Sequence, residues 1–227
     1  MTLREDASAP NLGPMRVALI HALRHSPPPI EAAFARLWPE ARPANLLDDS
    51  LSADLARDGA LTPAMTERFL RLSRYAVDTG AKGILFTCSA FGPCIEAVAR
   101  EHAPMPVLKP NEAMIGEVVA AVGPRGRIGL LATFGPSLDS MPREFPAGAT
   151  IVPCLAEGAL AALDAGDADA HDRLAAEASR RIADCDAIAL AQFSLARAAP
   201  MVAAATGRPV FTTPDSAVRA LRRRLAG

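Results

Sequence analysis

Apolar positions along this chain gather into short, nearly unbroken blocks separated by stretches with helical spacing. Arg16-Val17-Ala18-Leu19-Ile20-His21, Gly83-Ile84-Leu85-Phe86, Arg127-Ile128-Gly129-Leu130-Leu131-Ala132-Thr133 and Ala187-Ile188-Ala189-Leu190-Ala191 are such blocks. Runs of this kind read as strands buried on both faces, as in a parallel sheet. Ile30, Phe34 and Leu37, and later Ile95, Val98 and Ala99, recur at the spacing of an apolar helix face. Thr62-Pro63 has the form of an N-cap and first helical position. It predicts a helix to about Thr79, stopped by Gly80. Asn45 to Ser50 predicts a second short strand with an acidic end, and Asp215 to Leu225 a last helix. Residues 1–14 carry Pro10, Gly13 and Pro14 without periodicity and read as a flexible tail.

The pattern then runs a second time. Arg127 to Thr133 matches Arg16 to Ala22, Ala187 to Gln192 matches Gly83 to Cys88, and Pro209 to Ala217 matches Pro106 to Met114. Cys88 to Pro110 and Gln192 to Pro214 are both separations of 22 residues. Two matched units at one spacing predict an internal duplication. Strands alternating with helices predict parallel sheets covered on both faces. The expected fold is therefore α/β: two pseudo-symmetric doubly wound lobes, each with a small parallel sheet, and an active-site cleft between them. The first lobe is expected to take residues 15–113 plus 214–227, the second residues 114–213.

Composition narrows the function. Of 227 residues half are hydrophobic, and 24 Lys plus Arg stand against 25 Asp plus Glu with few aromatics. That balance carries no footprint for nucleic acid. No apolar stretch is long enough to span a membrane, and the charged start, Met1 to Asp6, lacks the form of a signal peptide. The four cysteines, Cys88, Cys94, Cys154 and Cys185, form no CxxC pair and are accompanied by four histidines, which argues against zinc. They read as reduced thiols of a cytoplasmic protein. Gly123 to Gly129 is glycine-rich but precedes a strand, so it is no dinucleotide fingerprint. No cofactor and no metal are expected. His171-Asp172 reads as a surface pair in a helix.

The candidate chemistry centres on Cys88. It lies at the carboxyl end of a strand and shortly before a helix, where open α/β sheets bind ligands. Amide N–H groups and a helix start favour an anion there, including a thiolate. Gln192 holds the matching place in the second unit, and the two are expected to face each other across the cleft.

Together the Phe86-Thr87-Cys88-Ser89-Ala90 turn, the Leu130-Leu131-Ala132-Thr133 strand end, the repeat that sets Gln192 opposite Cys88, and Glu157-Gly158-Ala159-Leu160 resemble the aspartate/glutamate/hydantoin racemase superfamily. The resemblance covers nearly the whole chain from about residue 15. It implies a cofactor-independent reaction at a carbon beside a carboxylate, with one cysteine per lobe exchanging protons on opposite faces. Cys88 matches the first cysteine. Gln192 stands where the second would be, and an amide cannot exchange a proton at useful pH. The expected groups for catalysis are then Cys88, Gln192 and, as a second-face proton group, His21. Ser89, Ala90, Thr133 and Ser194 are expected to hold the acid, Phe134 and Phe193 to wall the pocket, and Asp48 to line it. Lys109, Arg24 and Arg197 are cations that a carboxylate could use, although surface ion pairs account for such residues more often. The leading expectation is an amino-acid or hydantoin racemase-like enzyme. The alternatives are a single-cysteine decarboxylase, lyase or cis–trans isomerase of a small carboxylic acid, as with the superfamily's arylmalonate decarboxylase and maleate isomerase, or a two-lobed acid-binding module without turnover. The decarboxylase keeps its one cysteine in the other lobe, so its roles do not transfer residue by residue. A small carboxylic acid is the expected partner, and a homodimer fits the apolar helices of such small lobes.

Overall fold

The computed structural model describes residues 15–226, so the expected tail over 1–14 lies outside the described residues. The first half runs β1 (Arg16–His21), α1 (Pro27–Leu37), β2 (Arg42–Leu47), α2 (Ser50–Asp58), α3 (Pro63–Asp78), β3 (Gly83–Phe86), α4 (Gly92–Glu101), β4 (Val107–Leu108) and α5 (Glu112–Val122). The second runs β5 (Arg127–Ala132), α6 (Gly135–Ser140), β6 (Thr150–Leu155), α7 (Ala159–Asp164), α8 (Ala168–Ser179), β7 (Ala187–Leu190), α9 (Ala199–Thr206), β8 (Val210–Thr212) and α10 (Thr213–Ala226). They form two four-stranded parallel sheets of the same order, β2-β1-β3-β4 and β6-β5-β7-β8, with helices around them.

The duplication holds down to single hydrogen bonds. Lys82 N–H donates to Arg16 O and Asp186 N–H to Arg127 O, both at 2.8 Å. Ile84 N–H reaches Pro106 O and Ile188 N–H reaches Pro209 O, both at 2.9 Å. Beyond the strand ends, Thr87 N–H donates to Ile20 O at 3.1 Å and Ala191 N–H to Leu131 O at 2.9 Å. The next residues, Cys88 and Gln192, therefore leave their sheets at equivalent points.

Local sequence explains most elements. The apolar runs become the central strands β1, β3, β5 and β7, buried almost throughout. Thr62 caps α3 by accepting from Met65 N–H at 3.2 Å, and Gly80 past its end takes φ 91°. Two strands differ from expectation. β2 begins earlier, at Arg42, and Asp48 already belongs to the turn into α2. β6 had no clear strand signal, because TIVPCL is half-exposed and holds Pro153. Both are edge strands, where a proline and a weak apolar run are tolerated.

On one face of the first sheet Val17, Leu19, Leu85 and Leu108 pack with Ile30 and Phe34 of α1 and with Ala217, Val218 and Leu221 of α10. The last helix thus returns to the first sheet, while also lying along α5. Phe193, from the second lobe, enters the same cluster at 4% exposure. It ties the turn after β7 to the first lobe. Replacing it leaves a cavity at that junction. Phe193→Ala is expected to cost ~3–5 kcal/mol in urea unfolding, against less than about 0.5 kcal/mol for Phe134→Ala at an exposed position.

Candidate active site

Cys88 follows β3 with extended backbone (φ −130°, ψ 121°) and leads into a single 3₁₀ turn, Ser89–Phe91, before α4. Gln192 follows β7 with extended backbone (φ −137°, ψ 149°) and leads into the 3₁₀ turn Phe193–Ala198 before α9. Extended backbone at the strand end, then a tight turn, presents successive N–H groups at the carboxyl edge of each sheet. Ser89 is half-buried and Ala90 exposed on one turn, and Ser194 is half-buried on the other. The two edges are joined by α6. It starts two residues after Thr133 and packs against the Ser89–Phe91 turn.

Thr133 orients Gln192. Its backbone N–H and its hydroxyl both donate to Gln192 Oε1, at 2.7 and 3.1 Å. A backbone N–H can only donate, so the atom facing it must be the amide oxygen. The Nε2 group is thereby turned away from Thr133 and keeps two N–H donors.

Cys88 is half-buried, and its side chain packs against an apolar cluster that includes Leu51, Phe69, Phe86 and Phe91. Those residues and His21 close around it and leave no room there for a water molecule. Burial pushes the thiol above its usual range, and the hydrogen bond from the Ala90 backbone N–H only partly offsets this. The expectation that the helix start would lower this pKa is corrected: the apolar wall outweighs one amide. At neutral pH Cys88 is a thiol.

His21 does not serve as expected either. It is fully buried (0% exposed), with Nδ1 2.8 Å from Thr87 Oγ1 and Nε2 2.9 Å from Asn45 Oδ1. Asn45 gives its own N–H to Glu31, so its oxygen faces the ring and Nε2 carries the proton. Burial lowers the His21 pKa against the upward pull of the Asn45 bond and the Glu31 charge. A neutral ring with both nitrogens engaged has no proton for a substrate; it braces Thr87, the neighbour of Cys88. Asp48 is likewise committed, to Ser50 Oγ at 2.7 Å and to Arg68. Partial burial raises its pKa, but the Ser50 and Arg68 hydrogen bonds and the Arg68 charge together hold it below the usual carboxylate range. Phe193 is corrected from pocket wall to core, as shown above, while Phe134 stands 49% exposed directly after Thr133. The three candidate cations are paired: Lys109 with Glu96, Arg24 with Asp49 and Arg197 with Asp172.

A family model for Asp/Glu/hydantoin racemase matches residues 28–221. The chain belongs to this family. Among solved structures, allantoin racemase from Klebsiella pneumoniae is 18% identical with a TM-score of 0.70, covering 93% of this chain and 88% of that one. A glutamate racemase from Bacillus anthracis is 12% identical with a TM-score of 0.68, covering 93% and 82%. Unliganded arylmalonate decarboxylase is 20% identical with a TM-score of 0.60, covering 94% and 93%. At these identities the likeness is one of fold. No match is found among curated protein sequences.

Within this racemase-family fold, sequence reasoning missed the partners that matter. Thr87 and Asn45 fix His21, and Thr133 proved to be the partner of Gln192. His171-Asp172, expected at the surface, is buried at both residues. The signal was there in the spacing of His171, Ala175, Ala178 and Ser179, the buried face of α8.

The raised thiol has a direct consequence. Iodoacetamide should react slowly with Cys88 at pH 7, and the rate should still be climbing above pH 9. A profile that levels off below pH 8 would show a thiolate instead.

Proposed function

We propose that this racemase-family protein acts, without a cofactor, on a small acid bearing two carboxylates on one carbon, and that Cys88 protonates a single face. The observation that supports this reading is the pairing of Gln192 Oε1 with Thr133, which leaves the NH₂ group of the second-lobe residue as a donor for an acid. With His21 and Asp48 committed to protein partners, Cys88 is the proton group left among those considered.

In this reading one carboxylate lies against Gln192 Nε2 and the Phe193 and Ser194 N–H groups, and the other leaves. The C–C bond to the departing carboxylate breaks and releases CO₂. Its electron pair forms an enediolate across Cα and the retained carboxylate. The Ser89 and Gln192–Ser194 donors stabilise that charge because they are already oriented, while the Ala90 N–H holds the Cys88 sulfur. The Cys88 S–H bond then breaks, the proton goes to Cα, and the thiolate regains a proton from water. A thiol whose pKa is raised suits this role, since it must arrive protonated. The exposed Phe134 offers an apolar contact for the substituent on Cα.

Racemisation is the second reading, favoured by the family itself. It needs a proton group for the opposite face, and Glu157, exposed two residues past β6, is an acid at the equivalent edge of the second sheet.

A panel of substituted malonates and single-enantiomer amino acids in D₂O separates the two. Decarboxylation should place one deuteron at Cα of a single product enantiomer, and Cys88→Ala should cut the rate ~10²–10⁴-fold. Exchange into unreacted amino acid would favour racemisation. Binding of malonates without turnover, or turnover indifferent to Cys88→Ala, would count against the reading.

A further inference from the structure

A chain of buried polar groups lies behind the Gln192 turn. His171 is 0% exposed and Asp172 8%, both near the start of α8. This helix carries the chain from β6 back to the start of β7, two parallel strands, so it runs against them. Its first turn therefore lies at the carboxyl edge of the second sheet, at the level of Gln192. There it packs against the Phe193–Ala198 turn. Asp172 joins the two. His171 Nδ1 is 2.8 Å from Asp172 Oδ1, and Arg197 Nε donates to both carboxylate oxygens at 2.9 Å. A carboxylate accepts only, so Nδ1 carries the proton. Arg197 sits on the same turn as Gln192, Phe193 and Ser194.

His171 Nε2 is buried and without a hydrogen-bond partner among the described residues. Such an atom costs stability, and an apolar side chain of similar volume would remove the cost. Packing alone does not account for a histidine here; the hydrogen bond it gives Asp172 does. The weaker Arg197–Asp169 contact, at 3.8 Å with Asp169 largely exposed, cannot replace that bond.

We infer that His171, Asp172 and Arg197 are positioning residues: a buried clamp that holds the Gln192–Ser194 turn in the geometry that presents its donors to the cleft. The inference rests on the reading of that turn as an acid-holding element. Asp172 fixes Arg197, Arg197 fixes the far end of the turn, and Phe193 and Thr133 fix the near end. His171 sets the rotamer of Asp172 and therefore acts at two removes from any substrate.

The test uses the full chain labelled with ¹⁵N. The Gln192 side-chain NH₂ signals are identified by their loss in Gln192→Leu. His171→Leu keeps volume and removes the donor. It should move the Gln192 signals and speed exchange of the Leu195 amide, which donates to Gln192 O at 3.1 Å, by at least about tenfold. The Ile188 amide, in the ladder of the same sheet, should stay within about twofold. His171→Asn, whose side-chain N–H can stand near the Nδ1 position, should restore the wild-type pattern. Equal acceleration at both amides, no change at either, or an asparagine variant that behaves like leucine would overturn the clamp. Should His171→Leu fail to fold, Asp172→Asn is read by the same signals with the same expectation. Malonate added to wild type tests the underlying reading separately. If it leaves the Gln192 signals unmoved, the acid site fails, while the exchange data still decide the clamp.

Discussion

Parallel strands end with backbone donors and acceptors that their neighbours no longer pair, and this molecule has two such edges built alike. The Thr87-to-Ile20 and Ala191-to-Leu131 hydrogen bonds are the last of each ladder. They fix Cys88 and Gln192 at one height in two related sheets. The turn that follows must then aim its N–H groups outward, because nothing within the sheet can take them. The side chains there, Ser89, Ala90 and Ser194, are small.

What differs between the two edges is the medium behind them. Cys88 backs onto aromatic and aliphatic side chains, so the charged form of its sulfur is disfavoured despite a nearby amide. Gln192 backs onto polar structure, with Thr133 on its oxygen and the Arg197–Asp172–His171 chain behind its turn. In the proposed reading one edge keeps a proton and the other holds a negative charge, and that asymmetry on a symmetric scaffold favours chemistry on one face over exchange on two.

The remaining charged groups near the strand ends serve the scaffold. Asp48 and Arg68 clasp the start of α2, Asp49 holds Arg24, and Arg36 grips Asp215 on α10 with two hydrogen bonds. His25 of the first lobe meets Asp164 of the second at 2.8 Å, a contact between partly exposed groups and so of small weight. In the proposed reading the acid is met by neutral donors, which gain strength where water is excluded.

The sequence by itself determined the repeated α/β plan, because unbroken apolar runs have few other structures and because two units at one spacing repeat every strand but β2 and β6. It also placed Cys88 and Gln192 at equivalent strand ends. It did not determine which neighbours reach them. His21 looked like a free proton group until Asn45 and Thr87, 24 and 66 residues away, were seen on its ring. Phe193 looked like a pocket wall until α1 and α10 closed over it. His171-Asp172 looked solvated until α8 turned that face inward. Burial and hydrogen-bond partnership are properties of contacts between distant segments. Periodicity registers which face of an element is apolar; only the packed molecule decides which polar groups are trapped behind it, and so which protons can move.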